Sequence, residues 1–386
     1  MQHATDPHGD EVSYAPPGPH LVYYAEQALL GALLLEPALL ADLQQLEADA
    51  FSNASHGELF SAMLRVPAPD PVRHQAGPFW VNAVLETALP DAPGLTVSYL
   101  HTLISACPHA RHAPAYAAMV QAEHARRTIH LHSEHLARAS ADTALPDRAT
   151  AVLARADTLE RHLAELSGRF PSHPGSLPRT TMPPAPTGDT EEEVLDEERM
   201  LLASAAVWPS AINEMRWLTA DDFTLSAHGA LWQVLNSLSH RGDPVDPITV
   251  LWEAQHRGIL ASGLAPDEVI ALMSAPAGSP EHWGRRVIER ALLARAAEVA
   301  HRIGAYTDDP ATTVHQLITG SRRALADLTA IRTRWHRAIA PLAAPAPEAR
   351  AGVSTRAGPH RPSTTAAAVR PLSPPAGRPQ TGAHHR

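Results

Sequence analysis

The sequence predicts an all-α protein made of two tandem helical domains. Each domain is a small helical bundle followed by a helical hairpin, with disordered termini and a disordered linker. Three observations carry that prediction. Apolar residues recur at three- and four-residue spacings from Tyr24 to about residue 333, and no alternating period-two strand of any length appears. The stretch Glu26 to Pro37 returns as Glu198 to Pro209, and Pro37/Pro209, Asp49/Asp221 and His56/His228 all share a shift of 172. A register held without a gap over so many positions marks a duplicated domain. Finally, the 36 prolines cluster in three places, which suggests domains separated by unstructured segments.

Residues 1–20 are polar and carry Pro7, Pro16, Pro17 and Pro19, a disordered lead-in. The first helix follows, with Leu29, Leu30, Leu33 and Leu34 on one face. Pro37 sits in the first turn of a second helix, where proline is tolerated, and Leu39, Leu40, Leu43 and Leu46 continue it. Asp49 to Ser55 make a loop with capping residues Ser52, Asn53 and Ser55. The next helix buries Leu59, Phe60, Met63 and Leu64. The second copy preserves this plan with Leu201, Leu202, Ala205, Met215, Leu218, Leu231, Trp232 and Leu235.

The copies then diverge. Arg241 to Asp246 form a turn and a capped helix start, whereas the first copy takes a longer irregular passage from Val66 to Phe79. The shift falls to 169 by Gly94/Gly263, so the extra residues lie in a loop, where insertions are tolerated. Each copy closes with two long helices, about Ala115 to Ala139 and Ala149 to Ser167, then about Glu281 to Tyr306 and Ala311 to Arg332. Their short polar connections favour antiparallel hairpins. The expected domains are therefore 21–168 and 193–335, with a Pro-rich, semi-rigid linker at 169–192 and a disordered Pro/Ala/Arg-rich tail at 336–386.

Composition narrows the function. A formal charge of −10 argues against a chain that coats nucleic acid. The single cysteine, Cys107, rules out an intrachain disulfide or a zinc-thiolate cluster from this chain and fits a reducing compartment. The N-terminus lacks the basic-then-apolar pattern of a signal peptide. The most apolar window, Ala28 to Leu46, is broken by Glu36-Pro37 and Asp42 and cannot span a bilayer. A cytoplasmic protein with no membrane contact is expected.

The order Ala25-Glu26-Gln27-Ala28 through Leu33-Leu34-Leu35 and Pro37, then Asp49 and Phe51, then His56 and Leu59-Phe60, resembles the N-terminal domain of the bacterial replicative helicase, the DnaB family. The second copy retains Asp222-Phe223, His228, Leu231-Trp232 and Gly242-Asp243-Pro244-Val245-Asp246. In that family the domain forms a collar and recruits primase. The resemblance therefore implies a DNA-replication-associated interaction module that binds a primase, the replicative helicase or a loader. The family's motor needs a phosphate-cradling loop whose lysine reaches the β- and γ-phosphates. This chain contains no lysine, and a proline-rich tail follows the second copy, so helicase or ATPase activity is not expected.

No nucleophile–base pair, metal spacing or phosphate loop stands out, so no catalytic residue, cofactor or metal is assigned. The cluster His130, His132 and His135 does not converge on a helix, since His130 and His132 lie on different faces. Phe51, His56, Phe223 and His228 are markers of the repeat, the phenylalanines as core anchors and the histidines packing or hydrogen-bonding near a helix start. Arg126, Arg127, Arg285 and Arg286 are the candidate contacts to an acidic partner or a phosphate backbone; the plainer reading is a solvated helix face. Two other functions follow from these features: a DNA-binding regulator using the arginine faces and a weak, salt-sensitive tail contact, or a self-associating structural relic. The two copies are expected to pair hairpin against hairpin as an intrachain pseudo-dimer, with a homo-oligomer as the alternative.

Overall fold

The computed structural model describes residues 21–173, 175–182, 192–262, 264–275 and 278–340. The N-terminal lead-in, most of the second half of the linker and the tail beyond Ala340 lie outside the described residues. Within them every regular element is helical.

Helix α1 (Leu21–Leu35) is apolar on nearly every side, so its stable place is the centre of a lobe. Every residue from Glu26 to Leu34 is buried. Helix α2 (Ala54–Arg65) packs on it, the short α3 (Pro71–Gln75) follows, α4 (Phe79–Ala88) packs on α2, and α5 (Val97–Ala106) returns to α1. After Glu36 the chain winds as a 3-10 helix over Pro37–Leu43. Its buried residues, Pro37, Leu40 and Leu43, recur every three positions and so stack on one side of a three-residue turn. The second lobe repeats the plan with α8 (Glu192–Val207) at its centre, then α9 (Pro209–Glu214), α10 (Ser226–Arg241), α11 (Pro247–His256) and α12 (Pro266–Met273).

The hairpins are α6 (Ala113–Ala141) with α7 (Arg148–Arg169), and α13 (Pro280–Asp308) with α14 (Val314–Ile339). On α7 the buried Val152, Ala156, Leu159, Leu163 and Leu166 form one stripe at helical spacing, and α14 matches it with Leu317, Ser321, Ala324, Leu328 and Ile331. Helix α6 packs on α13 and α7 on α14, so the two hairpins close into one four-helix bundle.

One hydrophobic core fills the first lobe; the other runs without a break from the bundle into the second lobe. Helix α6 belongs to both. Ala113, Ala117 and Val120 sit in the lobe core, while Ala125, Ile129 and Leu136 sit in the bundle core.

The first half of the linker is not free. It lies over the α13–α14 turn, where Thr180 Oγ1 donates to Asp309 Oδ2 at 2.7 Å and Pro171 O lies 3.0 Å from His315 Nδ1.

Candidate interaction platform

The repeat markers sit at matching buried contacts. In the first lobe His56 Nδ1 lies 2.7 Å from Glu26 Oε2, and both side chains are fully buried. In the second, His228 Nδ1 lies 2.7 Å from Glu198 Oε2. A carboxylate can only accept, so the imidazole Nδ1–H donates in both. The same carboxylates take loop amides: Ser52 N–H donates to Glu26 Oε1, and Thr224 N–H donates to Glu198 Oε1 at 2.5 Å. Each pair therefore ties the central helix to the loop and helix start that follow the Asp-x-Phe motif. Phe51 and Phe223 complete the arrangement as core anchors, packed on Phe60 and Trp232 respectively. Gly57 and Gly229 follow the histidines because the helix passes so close to the carbonyls of Ala48 and Ala220 that a Cβ would overlap them.

Burial pushes the Glu26 carboxyl up, but the hydrogen bonds from His56 and Ser52 outweigh it and hold the group below the usual carboxylate range. Sequence reasoning singled out the histidines and missed the glutamates. Glu26 and Glu198 also obey the shift of 172 and were legible by that signal.

The four candidate arginines are all hydrogen-bonded within the chain. The Arg126 side chain is only 17% exposed. Its guanidinium donates to the carbonyls of Thr307 at 2.8 Å, Asp309 at 3.0 Å and Thr312, which ends α13 and lines the turn to α14. A cation at a helix C-terminus meets the unpaired carbonyls and the negative end of the dipole. Arg127 Nη2 donates to Ala50 O at 2.6 Å, pinning α6 to the Asp-x-Phe loop of its own lobe. Arg285 Nε donates to Ala338 O at 3.0 Å, near the end of α14. Arg286 pairs with the buried Glu197 at 2.6 Å, and Arg290 reaches the same carboxylate at 2.9 Å, joining α13 to α8.

Two residues outside the sequence-derived set do comparable work. Arg334 on α14 clamps the second lobe's loop through Asp222 Oδ2, with Trp217 O and Thr219 Oγ1 at 3.2 Å. Arg332 joins Asp157 of α7 at 2.7 Å, across the two hairpins.

The histidine cluster divides. His130 turns to Thr307 across the bundle, its Nδ1 2.9 Å from Thr307 Oγ1, while His132 packs beside His162 of α7 with ring centroids 5.1 Å apart. Among the described residues no group of three or more His, Cys, Asp or Glu side chains is placed to hold a metal ion. Burial, joined by neighbouring cationic groups, lowers the imidazoles of His124, His132 and His162 below their ordinary value. Cys107 ends α5 against α1, and burial raises its thiol. Among the described residues no helix is long and apolar enough to cross a membrane.

The family model for the DnaB-like helicase N terminal domain matches residues 19–122 and, separately, residues 190–283. Together these take in just over half of the 386 residues. Both matches cover a lobe and enter the first helix of its hairpin. No curated protein and no solved structure matches the chain.

Proposed function

Because the chain belongs to the DnaB-like helicase N terminal domain family, with two copies in tandem, we propose that it is a non-catalytic, replication-associated interaction module, whose partner is a primase, a replicative helicase or a loader. The observation that carries this reading is the closure of the two copies' hairpins on each other within one chain. On this reading the hairpin faces that family members use to assemble are engaged within the chain, and the two lobes supply the binding surfaces.

The match is to the N-terminal domain, and the sequence offers no lysine for a phosphate loop, so the reading assigns the chain a binding role without a motor. The DNA-binding alternative draws no support from Arg126 and Arg127, whose guanidiniums are held by backbone carbonyls, while Arg285 and Arg286 hold Ala338 O and Glu197 yet stay exposed.

The test is capture from the native cell on a tagged full chain. Primase, helicase or loader should co-purify, and should still do so with the chain cut after Ala340. Recovery of DNA alone, in a salt-sensitive manner lost with residues 341–386, would favour the nucleic-acid reading instead.

A further inference from the structure

We propose that the cleft beside Trp208 on the second lobe receives an arginine or lysine side chain of a partner protein. This deepens the interaction-module reading and rests on it.

One aromatic residue beside this cleft is not required by the fold. Glu36 and Trp208 occupy the same position in the two copies, at the shift of 172. Their backbones agree, with φ −131° and ψ 78° at Glu36 and φ −122° and ψ 68° at Trp208. Each precedes a proline in the first turn of the next helix, and each N–H donates to the carbonyl four residues back at 2.9 Å. A glutamate therefore satisfies this position. The tryptophan adds no core, being 57% exposed, next to Val207 at 53%. Large exposed aromatics are costly to leave in water and are enriched where partners dock.

The surroundings specify the occupant. Trp208, Glu214 and Glu281 line a cleft of about 410 Å³ with Ser279 and Pro280, where α9 meets the start of α13. That is large enough to take one long side chain. Glu281 is held in place by Ser279 Oγ, which donates to it at 2.7 Å. An anion would be repelled by the two carboxylates, and an apolar group would strip them of water without replacing it. A cation satisfies both carboxylates and stacks on the indole face. Arginine fits best, because its flat guanidinium can lie on the ring while its fork reaches a carboxylate. The formal charge of −10 also favours approach of a basic partner. The first copy keeps the acid, Asp42 standing where Glu214 does, but has no aromatic ring, so the site is private to the second copy.

The test uses the full chain and a fluorescein-labelled peptide carrying arginine in a glycine-serine background, with a citrulline version as the neutral match. Fluorescence anisotropy should show the arginine peptide binding about tenfold tighter than the citrulline one. Trp208→Gln, close in shape to the Glu36 that the first copy accepts on this backbone but without its charge, should fold with an unchanged melt and lose most of that preference. Glu214→Gln with Glu281→Gln should lose it too. Glu193→Gln with Asp267→Asn, exposed acids elsewhere on the lobe, should keep it. Equal loss in the control pair, or no arginine preference in the native chain, overturns the site. So does a Trp208→Gln chain that still captures its cellular partner at native levels, although the module itself would then stand. A native chain that captures no replication protein overturns the module.

Discussion

In the first lobe His56 lies in the middle of a chain of four side chains: Glu26, then His56, then Tyr99 at 2.7 Å from Nε2, then Tyr23 at 3.0 Å from the Tyr99 hydroxyl. In the second lobe the third residue of α12, which stands where Tyr99 stands in α5, is Glu268, and it caps its own helix by accepting from Ala265 N–H at 2.9 Å. The central helices differ as well. Gly31 lets α5 approach so closely that a Cβ would overlap Leu103 O, whereas Ala203 occupies the same register in α8. Different hairpin helices also clamp the two Asp-x-Phe loops, α6 through Arg127 in the first copy and α14 through Arg334 in the second. Duplication has kept the buried polar pair and let its surroundings diverge. A buried carboxylate without its partner is severely penalised, while the contacts around it can be exchanged for others of similar worth.

Removing the shared acid should have the largest effect on both lobes. Glu26→Ala and Glu198→Ala should each cost about 3–5 kcal/mol, because each leaves a buried histidine and a loop amide without an acceptor. Urea denaturation measures the cost, and hydrogen exchange assigns it to a lobe; a loss below about 1 kcal/mol in either lobe would end the idea of a common lock. Gly31→Ala comes next, at about 3 kcal/mol from overpacking against α5. The reverse change in the second lobe, Ala203→Gly, should cost only about 1 kcal/mol, a helix-propensity effect. If the two were equal, the close approach in the first lobe would have no energetic meaning.

Arg126→Ala should cost about 2 kcal/mol and speed amide exchange in the α13–α14 turn while sparing the first lobe, since its acceptors are carbonyls of the other repeat. Tyr99→Phe should cost about 1 kcal/mol and affect the first lobe alone.

The smallest effect concerns pH and the first hairpin. His124, His132 and His162 are held below their ordinary value, so the folded state resists protonation more than the unfolded chain does. Their contribution is fully present above about pH 6.5 and is lost as pH falls through their lowered folded values. A melting temperature that drops below about pH 6.5, and drops less in a His132→Gln, His162→Gln chain, would confirm the sign. Glu26 acts in a separate window. Its lowered value gives stability above the ordinary carboxylate range that is lost as pH falls through the folded value.

Much of the architecture was legible in the sequence. The hairpin helices and their short connections follow from spacing alone, and His56 and His228 were visible as recurrent positions. The second hairpin ends later than expected, since α14 continues to Ile339 with Trp335 and Ala338 buried. The helix expected from Pro37 onward is present as a 3-10 helix over Pro37–Leu43. The arginines were less legible. Arg126-Arg127 and Arg285-Arg286 look alike as dipeptides on a polar helix face, yet their acceptors range from Ala50 to Ala338.

The linear order of the chain established the helices, the duplication and the family, because periodicity and register are properties of neighbours along the chain. Which side chains meet was decided by the closing of the bundle. Glu26 reaches His56 across 30 residues and Arg126 reaches the α13–α14 turn across more than 180, at separations where no local pattern carries information. Packing the two hairpins brought a helix end of one copy against an arginine of the other, and a buried carbonyl must find a donor wherever the fold supplies one.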